Sequence, residues 1–330
     1  MQSTKKKKLF RYLGIFLKGL MLALTFWFIY NRIFTTKNLT EIVDYFRSHL
    51  SSTENLWMPI LAVLLVFANW AIETAKWRFL ILKIENISFV RAFKAVISGV
   101  TVSVFTPNRI GEYAGRVIYI KTADRIEATL ITVISSLGQL VITLLVGALS
   151  LLFFVKDYYS ETVNDWTFYI GLQLYAVLFF LMVLAFVNTS VLTIILSRIR
   201  FLRLRFKKYI QVFSYYRQRD LSLVLFLSFT RFLVFSIQYF LLLNYFGVEI
   251  AFGEAVVLIP VYLITLTAIP TITLAELGVR EVVSITVFSV ISSNEIGMVA
   301  TAFAIWLINL AVPAIIGTIF VLQTRIFKNN

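Results

Sequence analysis

Two Glu-x-x-x-Arg pairs carry most of the chemistry open to this chain. Glu112 and Arg116 follow Pro107 in Thr101-Val-Ser-Val-Phe-Thr-Pro107-Asn-Arg109-Ile-Gly111-Glu112-Tyr-Ala-Gly-Arg116. Glu276 and Arg280, with Glu281 next in sequence, follow Pro270 in Ile264-Thr-Leu-Thr-Ala-Ile-Pro270-Thr-Ile-Thr-Leu-Ala-Glu276-Leu-Gly278-Val-Arg280-Glu281. A guanidinium fork matches a phosphate bidentately, and a charge at bilayer depth costs at least ~2.5 kcal/mol. Charges retained in such apolar surroundings are therefore functional candidates. Both runs are broken, at Pro107 and Gly111 and at Pro270 and Gly278, and corresponding interrupted segments in two halves of a membrane protein point to a site at the midplane.

Local signals at the breaks suit an anion. Thr106-Pro107 places a capping hydroxyl before a proline, the usual opening of a helix, and Thr273-Leu-Ala-Glu276 has the spacing of a capping box. Helix N-termini present amides and the positive end of the dipole, to which Arg109, Arg116 and Arg280 add charge. The competing structural reading is that each Glu/Arg pair, four residues apart on one helix face, neutralises itself and fixes a hairpin. Arg231, midway along Leu221 to Tyr245, must find an acid, a cavity or a lipid phosphate. Glu281 or Glu276 is its expected partner, with substrate contact as the alternative. Asn69, Gln139, Gln238 and Asn309 are expected to hydrogen-bond between helices.

The elements that position these residues follow from composition. The 330 residues are 59% hydrophobic and 15% charged, against about 25% charged in soluble domains, so the chain reads as an all-α polytopic membrane protein. It has no Cys and one His, His49, which removes thiol chemistry and Cys/His metal sites. The net charge of +14 sits in short connections between apolar runs, as the positive-inside rule requires, and does not indicate nucleic acid. Lys5 to Lys8 and the apolar run after them lack a cleavage site and read as a retained first span.

Six segments meet the ~20-residue requirement for a span: Leu13 to Tyr30, Trp57 to Ala75, Leu130 to Val155, Phe168 to Val187, Leu221 to Tyr245 and Met298 to Leu322. Basic connections at Lys5 to Arg11, at Lys76, Arg78, Lys83, Arg91 and Lys94, at Lys121 to Arg125 and at Ser197 to Asp220 are assigned to the cytoplasm, as are Arg325 and Lys328. Asn31 to Leu56, Lys156 to Asp165, Gly247 to Glu254 and Ser292 to Glu295 are assigned outside. Two broken or re-entrant hairpins remain. One has legs Ala95 to Thr106 and Ile110 to Ile120; the other has legs Ala255 to Ile269 and Leu274 to Ile291, long enough that two full spans stay open. Residues 1–330 then form one transmembrane domain of two inverted-topology repeats, about 9–155 and 166–324, with hairpins meeting tip to tip. The basic and apolar residues of Phe201-Leu-Arg-Leu-Arg-Phe-Lys-Lys suit an anionic inner leaflet, although topology alone would also demand them.

Ser98-Gly-Val-x-x-Ser-Val-Phe-Thr-Pro107-Asn-Arg109-Ile-Gly111-Glu112-x3-Arg116, together with Pro270 and Leu277-Gly278-Val-Arg280-Glu281, resembles the signatures of the flippase-like integral membrane family. That family includes the N-terminal flippase domain of lysylphosphatidylglycerol synthase, the multiple peptide resistance factor. The resemblance runs from the first span to the last and implies lipid translocation, with Arg109, Glu112, Arg116, Arg280 and Glu281 at the matching positions. Only Thr324 to Asn330 follows the last span, so the soluble aminoacyltransferase activity of fused members is not implied. Where members often carry an Arg ahead of the last proline, this chain has Trp306-Leu-Ile-Asn309 ahead of Pro313.

The expected protein is a multi-pass cell-membrane (inner, cytoplasmic-membrane) transporter with both termini cytoplasmic. It would move a phospholipid or lipid-linked polar precursor between leaflets. It is not expected to be an enzyme, and neither a cofactor nor a metal is called for. No nucleotide-binding motif is present. A secondary transporter of a soluble organic anion, and a membrane partner of a separate synthase or glycosyltransferase, are the alternatives; homo-oligomerisation stays open. The head-group residues are expected to be Arg109, Glu112, Arg116, Arg231, Glu276, Arg280 and Glu281.

Overall fold

A computed structural model describes residues 44–45, 47–48, 55–104, 106, 109–159, 164–188, 211–270 and 273–323. The expected span Leu13 to Tyr30, Pro107, residues 197–210 of the basic connection, Arg325 and Lys328 lie outside the described residues. Among the described residues the chain is all helix, with no strand. Five helices are long and apolar enough to cross a membrane: α1 (Trp57–Ile81), α4 (Arg125–Tyr158), α5 (Asp165–Val187), α6 (Gln218–Tyr245) and α9 (Glu295–Gln323). Each contains one of the expected spans. Side chains capping with oxygen fix several starts: Asp124 accepts from Ile126 N–H for α4 (2.8 Å), Asn164 from Thr167 N–H for α5 (2.9 Å) and Asn294 from Gly297 N–H for α9 (2.9 Å). Only Phe168 of α5 is buried, and away from the face packed on α4 its large apolar residues are exposed, the condition of a helix solvated by lipid.

Between the spans lie the shorter α-helices α2 (Phe89–Ser103), α3 (Gly111–Val117), α7 (Phe252–Ala268) and α8 (Thr273–Phe288), of 15, 7, 17 and 16 residues. At 1.5 Å per residue the longest reaches about 25 Å, short of ~30 Å of hydrocarbon. The expected legs need adjusting. Helix α2 starts at Phe89, capped by Ser88, six residues ahead of Ala95, and α3 is a two-turn stub rather than a leg from Ile110 to Ile120. The helix does not open at Thr106-Pro107: α3 starts at Gly111, with Ile110 at its N-cap and no side-chain cap bond, while Thr106 Oγ1 accepts from Gly111 N–H at 2.7 Å. Helix α8 already includes Thr273, so Thr273 is not its cap. Gly278 lies inside α8 and is not a break; Pro270 lies in the gap between α7 and α8.

The packing is reciprocal. Helices α1 and α6 pair at the centre, α2 packs on α9, and α7 packs on α4. Glycine makes both outer contacts possible: a Cβ on Gly317 of α9 would fall 2.2 Å from Thr101 Oγ1 of α2, and one on Gly147 of α4 would fall 2.5 Å from Ile264 Cβ of α7. Small residues let helices approach where hydrophobicity supplies no net drive. The Thr101 hydroxyl then donates to Ala314 C=O at 2.8 Å.

Glu85, in the connection after α1, ties both ends of the first hairpin together. Its carboxylate accepts from the backbone N–H groups of Lys121 (2.9 Å), Thr122 (2.8 Å) and Ala123 (3.0 Å) and pairs with Arg91. Partial burial opposes its charge, but the Thr122, Ala123 and Lys121 amides outweigh that and hold the carboxyl below its usual 4.5. A depressed folded-state value stabilises above the unfolded value and loses that contribution as pH falls through the folded one. Glu85→Ala should therefore cost roughly 2 kcal/mol near neutrality, with the gap to the native protein closing below about pH 4. Thermal melts in detergent across pH 3 to 8 check this; a gap unchanged at low pH contradicts it.

Candidate functional site

Glu73 of α1 is the hub of a buried ionic network. Its Oε2 pairs with Lys76 Nζ at 2.8 Å and Arg231 Nη1 of α6 at 3.1 Å, and its Oε1 with Arg116 Nη2 of α3 at 2.9 Å. The Glu73 and Arg116 side chains are 3% and 1% exposed, and Arg116 also pairs with Glu112 one turn back. Lys76 Nζ donates to Ser228 Oγ of α6 at 3.3 Å. Arg231 extends the network: Nε donates to Asn69 Oδ1 at 2.8 Å, its guanidinium lies 5.4 Å from the Trp70 ring centroid, and Asn69 donates to Asn309 Oδ1 at 3.0 Å. Asn309 sits on the π-helical stretch Leu307–Ala311 of α9, a local widening that recurs at functional positions.

Gly99 and Gly115 seat Arg116. A Cβ on Gly115 would fall 2.6 Å from Gly99 Cα, and one on Gly99 would fall 2.9 Å from Arg116 Cγ, so the two legs touch backbone to backbone and the arginine passes through the contact towards Glu73.

The hairpin tips meet through a second ionic group. Arg109 Nη2 pairs with Glu276 Oε1 at 2.5 Å across 167 positions of sequence, and the same oxygen accepts from Arg280 Nη2 at 2.8 Å and Nε at 3.1 Å. Arg109 adopts φ 58°, a left-handed conformation that costs a non-glycine residue roughly 1–2 kcal/mol. Such strain gathers at functional positions, and here it accompanies the reach of Arg109 to the opposite hairpin.

Between the two ionic groups lies a cavity of about 650 Å³, lined by Asn69, Arg109, Gln139, Arg231, Thr267, Pro270, Glu276 and Arg280 among others. A smaller lobe of about 230 Å³ shares Arg109, Gln139, Thr143, Arg231 and Thr267 with it and continues to Trp70, Glu73, Lys76 and Glu112. A third space, an apolar groove of about 440 Å³, is lined by Leu144, Leu145, Tyr175, Leu178 and Ile264. Helices α4 and α7 lie between it and the polar cavity: Leu144 and Ile264 line the groove, their neighbours Thr143 and Leu263 line the cavity, and among the described residues no lining residue is common to the two.

Of the expected head-group residues, Arg109, Arg231, Glu276 and Arg280 line the main cavity and Glu112 the lobe. Arg116 lies inside the network, behind the lining, bonded among the described residues through Nη2 alone. Glu281 lies outside the lining, one helical position and so about 100° round α8 from Arg280. Arg231 finds an acid as its depth requires, but the acid is Glu73, and neither Glu281 nor Glu276. Lys76, assigned to a cytoplasmic connection, is instead fully buried within α1. Glu73 itself escaped notice although it lies within the expected span Trp57 to Ala75; an acid three residues ahead of a lysine in an apolar run was the available signal. Asn69 to Asn309 and Gln238 to the Ala62 carbonyl (2.8 Å) are the interhelical bonds expected, whereas Gln139 faces the cavity.

The sequence model of the lysylphosphatidylglycerol synthase TM region matches residues 12–317. No curated protein and no solved structure matches the chain.

Proposed function

We propose, for a chain that belongs to the lysylphosphatidylglycerol synthase TM family, that it moves a polar-headed lipid between leaflets, the head group crossing through the cavity between the hairpin tips. The observation that carries this reading is the pair of spaces on either side of α4 and α7: a charged cavity walled by Arg109, Arg231, Glu276 and Arg280, and an apolar groove against the lipid-facing α5. A lipid needs both, a wet path for its head and a lateral opening for its chains. A soluble anion needs only the first, so the groove favours a lipid over the soluble-anion alternative.

In this reading Arg109 and Arg280 reach the head group from the two tips while Arg231 holds it from the α6 side. Glu276 keeps the two tip guanidiniums from repelling each other when the cavity holds no lipid. The reciprocal packing of α2 on α9 and α7 on α4 supports two inverted repeats, at about 9–155 and 166–324. Rocking of one against the other would open the cavity to each leaflet in turn, with the Arg109 to Glu276 bridge as the contact made and broken. The protein is then a transporter in the cell membrane rather than an enzyme, with both termini cytoplasmic and membrane lipid as its partner.

The test is leaflet-to-leaflet movement of head-group-labelled lipids in proteoliposomes. Native protein should accelerate it over protein-free vesicles, and Arg109→Gln and Arg280→Gln should each slow it at least about tenfold, the equivalent of ~1.4 kcal/mol of lost stabilisation. Folded native protein that moves no lipid would refute the reading.

A further inference from the structure

Resting on the reading of this cavity as a head-group site, we infer that the preferred head group is a dianionic phosphate, either a phosphate monoester or a pyrophosphate, and that zwitterionic and cationic head groups are poor substrates. Among the described residues, the charged residues lining the cavity and its lobe are Glu73, Lys76, Arg109, Glu112, Arg231, Glu276 and Arg280, and Arg116 belongs with them through its bonds to Glu73 and Glu112. That is five cations, Lys76, Arg109, Arg116, Arg231 and Arg280, against three acids, Glu73, Glu112 and Glu276, an excess of two positive charges. At bilayer depth such an excess calls for counter-charge, and a monoanionic phosphodiester would supply only half of it.

The carboxylates are all engaged. Glu73 answers three cations, Glu276 answers two and Glu112 answers Arg116. An ammonium or aminoacyl substituent entering the cavity finds no carboxylate to pair with unless a buried ion pair opens first. Unused hydrogen-bonding capacity around the lobe is mostly that of donors, with the Gln139 Oε1 acceptor as the exception. The Trp70 indole N–H, on the lobe's lining, and Arg116 Nε and Nη1, behind it, are buried donors with no hydrogen-bond partner among the described residues. Three unused donors against one unused acceptor, in a site with excess positive charge, match a group made almost wholly of acceptors, and a terminal phosphate or a pyrophosphate is such a group.

The experiment compares initial rates of leaflet transfer in one proteoliposome preparation for lipids differing in head group: phosphatidic acid and a polyprenyl pyrophosphate as dianions, phosphatidylglycerol as a monoanion, phosphatidylcholine as a zwitterion and lysine-esterified phosphatidylglycerol as a cation. The dianions should move at least tenfold faster than the zwitterion and the cation, with the monoanion between. Arg231→Gln keeps a side-chain partner for Asn69 but lowers the excess to one, and should cut the preference for dianion over monoanion at least fivefold. Millimolar inorganic pyrophosphate should slow lipid movement by competition. Equal rates for all head groups, or faster movement of the lysine-bearing lipid, would overturn the inference and leave lipid movement standing. Uptake of labelled pyrophosphate without movement of any lipid would keep the dianion and overturn the lipid. No transfer of any kind by folded protein would remove the reading on which both rest.

Discussion

Glu73→Gln is expected to abolish lipid movement and to cost about 3–5 kcal/mol of stability, the range for removing one partner of a buried ionic group. Three cations share this carboxylate, Lys76, Arg116 and Arg231, from α1, α3 and α6. A neutral amide leaves them facing one another at low dielectric, where repulsion is strong. The loss reaches the site because Arg116 anchors the first hairpin and Arg231 lines the cavity. Removing a cation together with the acid should relieve part of the cost, so Glu73→Gln with Lys76→Met should melt above Glu73→Gln alone. Thermal melting by size-exclusion chromatography in detergent reads both variants. A Glu73→Gln protein melting within about 1 °C of native, less than the ~1.4 °C expected even of 1 kcal/mol in a chain of this length, and moving lipid at the native rate would show that the hub has no role.

Charge reversal at the tips should have the next largest effect. Glu276→Lys places a third cation where Arg109 and Arg280 converge on one carboxylate oxygen, and transport should fall about 100-fold, or ~2.7 kcal/mol. Adding Arg109→Glu restores an acid among the cations and should recover at least about tenfold of that loss, although Arg109→Glu alone is itself damaging. Recovery of this kind is the mark of direct coupling in a double-mutant cycle. Purely additive losses would mean that the contact between the tips does not contribute to transport.

Hydropathy was sufficient for the spans because lipid imposes one demand on every turn of a crossing helix. Trp57 to Ala75, Leu130 to Val155 and Leu221 to Tyr245 all fall inside observed helices. It fails where helices end in ions that pair inside the protein. Glu73 and Lys76 neutralise each other within a turn of α1, so the helix runs on to Ile81 through residues that by type alone mark an interface. The Glu112/Arg116 and Glu276/Arg280 spacings gave the pairs within each helix, but neither the bridge from Arg109 to Glu276 nor the bond from Arg231 to Glu73. Those contacts depend on which helices pack together, and nothing in local spacing encodes that. Arg116 and Arg280 occupy matching places in the two motifs, yet one is enclosed by the Gly99 and Gly115 contact while the other faces the cavity.

That the head group passes through this cavity is tested most directly by blocking it. The chain has no native cysteine, so a single cysteine at Thr143, which lines both the cavity and its lobe, can be modified with a bulky thiol reagent without background. A cysteine at Leu174, on the lipid-facing α5 and 61% exposed, serves as the control. Modification at position 143 should stop movement of head-group-labelled lipid in proteoliposomes, with recovery on reductive removal of the reagent, while modification at 174 leaves it unchanged. Undiminished lipid movement through protein fully modified at position 143 would contradict the account.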